Sequence, residues 1–312
     1  MPELHPLVCF LATLYASVLA GTWLGLAVWR FTPSRGGLNT GPIWLPFLTP
    51  GAVSVLAAFH PPDLGLLQPG HQIWHAVEEA ILTSPPAHAL LHLANLLLVA
   101  CFLVCLARAV YRGAQQVAFL RALTSSGIPD RLLGVPVVRL PAAVPACFTA
   151  GVLRPRVFVT ESLLTRVSGR DLQVMLAHEQ AHLRRVDRLS GFTLQLLFDL
   201  FPAPGAARFL REWRRRVERA CDESAADRVG SRHEVAAALV RAAALLTSRQ
   251  PFPGAAGFAD DAAELEARVH ALLAPTGPDR PSTGILAAGL CCGVLLLTGF
   301  WVRHLIDLFV HH

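Results

Sequence analysis

The sequence contains no lysine, so all 27 of its basic residues are arginine. Together with the abundance of alanine, glycine, proline and leucine, this indicates a compositional bias of the genome. The formal net charge of +5 does not favour a nucleic-acid partner. The arginines are scattered, and arginine beside membrane segments explains the charge more simply. We therefore expect no direct binding to nucleic acid.

Charged residues are also scarce, at 16% of the chain, whereas hydrophobic residues make up 53%. Soluble domains carry charge on about 25% of their residues. The 312 residues suffice for one or two domains with a sizeable core. The composition therefore indicates that part of the chain lies in a lipid bilayer.

No CxxC spacing occurs among the seven cysteines, and most of them fall inside apolar runs. This pattern is not typical of a disulfide framework. Cys101 and Cys105 share a helical face, which leaves a metal pair open as a minor alternative. A role as small apolar side chains is favoured.

Four apolar segments are candidates to cross the membrane. The segment 7–29 has no charge and is long enough for a bilayer core of about 30 Å. It does not resemble a signal peptide, because no basic residue precedes it and no clean cleavage site follows. The segment 42–59 is shorter and is interrupted by Pro46 and Pro50, so it spans, re-enters or lies in the interface. The other two segments are 87–107 and 284–302.

The arginines predict how these segments are oriented. Arg30 and Arg35 follow the first segment, and Arg108 and Arg112 follow the third. The positive-inside rule places both ends in the cytoplasm, which requires the second segment to cross as well. The acidic loop 60–86, which has no arginine, is then external.

The prediction is therefore a mainly α, multi-pass protein of the bacterial cytoplasmic (inner) membrane. It comprises a membrane region over 1–107, a cytoplasmic α+β domain over 108–283, and a last helix with a short tail over 284–312. Within the cytoplasmic domain, β-branched runs separated by Pro/Gly-rich turns predict a small sheet over 135–164. A helical pattern begins after Ser168, which is a plausible N-cap.

The helical stretch contains the pentapeptide HEQAH, residues 178–182. Positions i and i+4 lie on the same face of a helix, so His178 and His182 can present two imidazoles to one Zn²⁺. Zinc lowers the pKa of a bound water to about 7, and Glu179 is placed to take its proton during attack on a peptide carbonyl. The motif alone is a moderate signal, since five-residue matches also arise by chance.

A catalytic zinc needs a third protein ligand, and several carboxylates follow His182. Within the ERACD element, Glu218 and Asp222 are again four residues apart on a predicted helix. Glu218 can ligate, while Asp222 can accept a hydrogen bond from a ligand histidine. Ion pairs with neighbouring arginines are an equally strong explanation for this element taken alone. The candidates for the third ligand are Asp187, Glu212, Glu218, Asp222 and Glu223.

HEQAHLRRVD followed by ERACDESAAD resembles the membrane metallopeptidases of the BlaR/MecR antirepressor type, peptidase family M56. More distantly the pattern is similar to the prenyl-protein and heat-shock membrane metallopeptidases. The resemblance covers roughly residues 7–302 and implies a cytoplasm-facing gluzincin site that holds one zinc ion. It implies Glu218 as third ligand, with Asp222, Arg185 and Asp187 supporting the ligands. The matching residues are His178, Glu179, His182, Arg185, Asp187, Glu218, Cys221 and Asp222.

The resemblance also implies a function, namely regulated proteolysis of a transcriptional repressor of the BlaI/MecI type. Antibiotic-sensing members continue into an external penicillin-binding domain, whereas only ten residues follow Val302 here. We therefore expect a separate sensor protein to provide the signal. Quality control of membrane proteins is an alternative within the same enzyme class. A non-proteolytic signalling or scaffold protein is the alternative from another class, and the intact Glu179 disfavours it.

Two further features carry weaker expectations. The stretch PACFTAGVLRPRVFV resembles the strand region that precedes the zinc helix, so Ala150, Gly151 and Val152 are candidates to bind substrate by strand addition. Five histidines lie in or beside the predicted external loop, where a second metal site or haem pair is a minor alternative to ordinary interface positions. They are His60, His71, His75, His88 and His92.

Overall fold

The computed structural model describes residues 85–246 and 262–274, together with a few helical residues between 15 and 27. The predicted segments 42–59 and 284–302 lie outside the described residues. The same is true of the side chains of the five histidines near the predicted external loop.

The longest helix, α1, runs from Pro85 to Ser126 and contains 42 residues. It extends well past the predicted segment 87–107, and at 1.5 Å per residue it is roughly 60 Å long. Its stretch Leu96–Ser126 is, among the described residues, the one helix long and apolar enough to cross a membrane. Only 11% of its most apolar window is buried. Its C-terminal half contacts the rest of the protein, where Arg112 pairs with Asp199.

The small sheet predicted for 135–164 is present, and one further strand, which precedes residue 135, pairs at its edge. The strands are β1 (Ile128–Leu132), β2 (Val135–Leu140), β3 (Cys147–Ala150) and β4 (Arg156–Thr160). Their order is β1-β2-β4-β3, with β2 and β4 parallel and the other pairs antiparallel. Leu133 and Gly134, with φ of 50° and 79°, form the two-residue turn of the β1–β2 hairpin. In the order given above, β1 and β3 are the two edge strands of the sheet.

Within the described residues, six helices follow the sheet, and the predicted helix start at Ser168 is confirmed by its cap. The Ser168 hydroxyl accepts a hydrogen bond of 3.0 Å from the backbone N–H of Asp171. The helices are α2 (Glu161–Leu164), α3 (Gly169–Arg185), α4 (Asp187–Leu200), α5 (Ala206–Val229), α6 (Arg232–Leu246) and α7 (Ala262–Leu273).

The sheet is covered on both faces, which explains why its central strands are mostly apolar. On one face, Val157 and Val159 pack with α3, α5, α6 and α7 in the largest core cluster. On the other, Phe148 and Phe158 stack at 5.5 Å and pack near the end of α1 against Leu123. The metal-motif helix α3 is therefore held between the sheet and the helices α5 and α6.

The start of α3 is pinned to α6, and this contact predicts a pH dependence of stability. The Arg241 guanidinium lies 2.5 Å from the Asp171 carboxylate. Hydrogen bonds from Arg241, and a further one from Ser168, outweigh burial and lower the pKa of Asp171. The stabilisation is complete above the unfolded value of about 3.9 and is lost as the pH falls through the lower folded value.

We therefore expect the Asp171→Asn variant to melt at a lower temperature than wild type at pH 7. The difference should narrow as the pH falls below about 4. Thermal unfolding followed by circular dichroism across this range measures it. A difference that stays constant down to the most acidic pH would show that the charge contributes nothing.

Candidate active site

Helix α3 carries the candidate residues on its buried face. His178, Glu179 and His182 are 3%, 1% and 5% exposed. The helical spacing brings the two imidazoles together, with ring centroids 4.9 Å apart and planes at 77°. Buried polar side chains need partners, and the partners come from α5, α4 and β3.

Glu218 of α5 faces both imidazoles. Its Oε2 lies 3.2 Å from Nε2 of His178, and its Oε1 lies 3.6 Å from Nε2 of His182. One ligand atom from each of the three residues lies within 4.8 Å of the others. Helices α3 and α5 thus bring two imidazole nitrogens and a carboxylate to one point.

The outer nitrogen of each imidazole is backed by a carboxylate. His178 Nδ1 lies 2.9 Å from Asp222, and His182 Nδ1 lies 3.1 Å from Asp187. Such contacts fix the ring orientation and leave Nε2 facing inward. Asp187 reaches His182 because Val186 has a left-handed backbone (φ 57°), which ends α3 and starts α4. The backbone reversal, at a β-branched residue, therefore serves the site.

The carboxylates of this cluster stabilise positive charge on the His178 imidazole. Burial by itself lowers the pKa of His178, but hydrogen bonds to Asp222 and Glu218 raise it to about 10. Burial raises the pKa of Glu218, yet the charges of Arg268 and the two histidines hold it well below its ordinary range. Positive charge is thus strongly stabilised where the carboxylates converge.

The donor set fits a zinc ion. Two histidines and one glutamate are a known ligand set of catalytic zinc. A tetrahedral ion with bonds of about 2.1 Å holds its ligand atoms about 3.4 Å apart. The Nε2-to-oxygen distances of 3.2 and 3.6 Å at Glu218 bracket this value.

Glu179 turns toward the sheet and contacts its edge strand. The Thr149 hydroxyl of β3 donates a hydrogen bond of 2.7 Å to Glu179 Oε2. This bond holds the carboxylate beside the cluster. On the same strand, burial and the charge of Glu179 raise the pKa of the Cys147 thiol. Thr149 gave no signal in the sequence, since a single threonine in a strand matches no motif.

The remaining predicted residues divide between the cluster and its surroundings. Arg185 Nε lies 3.5 Å from Asp187, and Cys221 Sγ lies 3.4 Å from His182 Nδ1. Of the three candidate strand residues, only Ala150 lies within β3. Gly151, with a φ of 101°, begins the turn that contains Val152. The candidate substrate strand is therefore β3 itself rather than the turn after it.

Two other candidates for the third ligand have different partners. Glu212 lies 3.0 Å from Arg216 on the same helix, and Glu223 lies 2.5 Å from Arg232. Neither belongs to a cluster of potential ligands among the described residues. Of the carboxylates considered from the sequence, Glu218 is the one that meets both histidines.

A helix with HExxH and a carboxylate from a following helix define the class of metallopeptidases. The family model of the BlaR1 peptidase M56 matches residues 81–272, more than half of the chain. The chain therefore belongs to this peptidase family, as the sequence resemblance predicted. Comparison with curated proteins finds no match.

Proposed function

We propose that this protein is an integral-membrane zinc endopeptidase that hydrolyses peptide bonds at the cytoplasmic face of the membrane. The observation that carries the proposal is the convergence of His178, His182 and Glu218 beside a buried Glu179. The M56 match supports peptidase chemistry and a metal cofactor. The choice of zinc rests on the donor set.

In this proposal each residue has one task. His178, His182 and Glu218 would hold a single zinc ion, which would supply Lewis acidity and lower the pKa of a bound water molecule. Glu179 accepts the proton of the attacking water and then donates it to the leaving amine. Asp222 and Asp187 hold the imidazoles, and Arg185 supports Asp187, so the chain itself orients both histidine ligands.

The substrate approach is proposed from the sheet. Strand β3 pairs with β4 on one side only among the described strands. Cys147, Phe148 and Thr149 are buried and Ala150 is partly exposed, so an extended substrate would add by backbone hydrogen bonds from the Ala150 end of the strand. Because Thr149 of this strand bonds to Glu179, a strand added there runs past the general base. The edge position of β3 and its contact with Glu179 thus support an extended substrate segment.

The proposed biological role is regulated proteolysis of a repressor of the BlaI/MecI type, driven by a separate sensor. The M56 family match supports this role, and the buried general base speaks against a purely scaffolding protein. Quality control of membrane proteins uses the same chemistry. The set of cellular proteins whose N-termini change when Glu179 is replaced separates these two roles.

Membrane vesicles test the enzyme class and its orientation together. We expect inverted vesicles that contain the protein to cleave an added unfolded protein, whereas right-side-out vesicles do so only after permeabilisation. A strong zinc chelator should abolish cleavage, and stoichiometric zinc should restore it. Appearance of peptide fragments measured by mass spectrometry gives the rate.

The control is the addition of Mg²⁺ after chelation, which should not restore cleavage. Magnesium prefers oxygen ligands, whereas this cluster offers two imidazoles. Cleavage that survives chelation would contradict metal-dependent chemistry. Cleavage by sealed right-side-out vesicles would instead contradict the proposed orientation.

A further inference from the structure

Helix α7 carries a buried arginine into the metal-ligand cluster. Arg268 is 1% exposed and is one of the largest fully buried side chains. Its Nε and Nη2 lie 2.8 and 2.7 Å from the two oxygens of Asp222. Its Nη1 lies 3.3 Å from Oε2 of Glu218. One guanidinium thus connects the candidate third ligand with the carboxylate behind His178.

Other contacts already hold α7 in place. Glu264 lies 2.5 Å from Arg215 of α5, near the start of the helix. At its other end, Arg232 donates hydrogen bonds of 3.0 Å to the backbone carbonyls of Ala271 and Leu272. Leu272 is buried in the main core. The docking of α7 therefore does not depend on Arg268 alone.

A buried guanidinium is costly unless its charge is fully compensated, and apolar side chains often replace buried ion pairs without loss of stability. The position of Arg268 is better explained by its geometry. The planar guanidinium fixes both oxygens of a carboxylate at once. Asp222 Oδ1 is shared between Arg268 at 2.7 Å and His178 Nδ1 at 2.9 Å. The orientation of the imidazole thus depends on that of the carboxylate.

We propose that Arg268 is a positioning residue of the metal site, an inference that rests on the proposed function. Arg268 holds the carboxylates of Asp222 and Glu218 so that His178 Nε2 and Glu218 face the same metal ion. Its effect on zinc passes through the two carboxylates.

Charge and positioning predict opposite results when Arg268 is removed. A guanidinium near a dication repels it, so loss of the charge alone would tighten zinc binding. Loss of positioning would weaken it, since removing an outer partner of a ligand costs about 10–100-fold in metal affinity. Arg268→Lys keeps the charge but loses the planar fork, and it therefore separates the two effects.

The experiment measures zinc affinity of the full chain in detergent by competition with a chromophoric chelator. We expect Arg268→Met and Arg268→Lys each to weaken zinc binding by about 10–100-fold. We also expect the double variant Asp222→Asn/Arg268→Met to lose little more than Asp222→Asn alone. Such non-additivity shows that the two residues act as a unit.

The control variant is Glu264→Gln, which loosens the same helix without touching the cluster and should keep wild-type zinc affinity. Circular dichroism checks the fold of each variant, and Arg268→Lys decides if Arg268→Met does not fold. Undiminished or tighter zinc binding in the folded Arg268 variants would overturn this inference alone. Absence of zinc binding in the wild type would overturn the proposed function as well.

Discussion

Replacing Glu179 with glutamine is expected to lower the rate of peptide hydrolysis by about 10²–10⁴-fold, the usual contribution of a positioned general base. Glutamine keeps the shape of the side chain and can still accept the hydrogen bond from Thr149. It cannot accept a proton from water. Zinc content should therefore remain at the wild-type level while turnover of an unfolded protein substrate falls.

The same variant identifies the substrates in cells. Proteins whose N-termini change between wild type and Glu179→Gln are the products of this enzyme. A cleaved repressor among them is expected for regulated proteolysis, whereas a set made up of membrane proteins would favour quality control. Full turnover in a folded, zinc-loaded Glu179→Gln variant would contradict the assignment of the general base.

Replacing Glu218 with alanine is expected to weaken zinc binding by more than about 100-fold, beyond the effect of losing an outer partner. Glu218 is the carboxylate that faces Nε2 of both histidines. Its loss leaves two ligands for the metal and also removes a partner of the buried Arg268. Metal analysis of the purified full chain gives the stoichiometry, and chelator competition gives the affinity.

Two matched controls lie on the same helix. Glu212→Ala and Glu223→Ala each remove a carboxylate that pairs with an arginine outside the cluster. Both variants should therefore bind zinc like wild type. If Glu218→Ala retained zinc and one of the controls lost it, the third ligand would be the carboxylate removed in that control. The site would then have to rearrange to bring this carboxylate to the histidines.

The shared helix face of the two HExxH histidines was predictable from the sequence, because the periodicity of a helix is local. Once α3 forms, His178 and His182 must share a face. The cap at Ser168 and the apolar strands β2 and β4 follow from local patterns in the same way. The resemblance to M56 peptidases also rests on short motifs, and the family match confirms it.

The long-range contacts were not predictable in this way. Arg268 lies 46 residues beyond Asp222 and matches no motif, yet its buried guanidinium donates a hydrogen bond to the Asp222 carboxylate. The hydrogen bond from Thr149 to Glu179 likewise joins residues that are 30 positions apart in the sequence. The extent of α1 was underestimated, because its apolar run ends long before its helix does.

The sequence by itself determined which reactive groups are present, namely two imidazoles, a general base and a set of carboxylates at helical spacing. Only the tertiary structure decided which carboxylate meets the imidazoles and which ones stand behind them. The choice depends on the packing of α5 and α7 against α3 and on the backbone reversal at Val186. Helical periodicity acts over four residues, whereas the contacts that complete this site form between elements far apart in the chain.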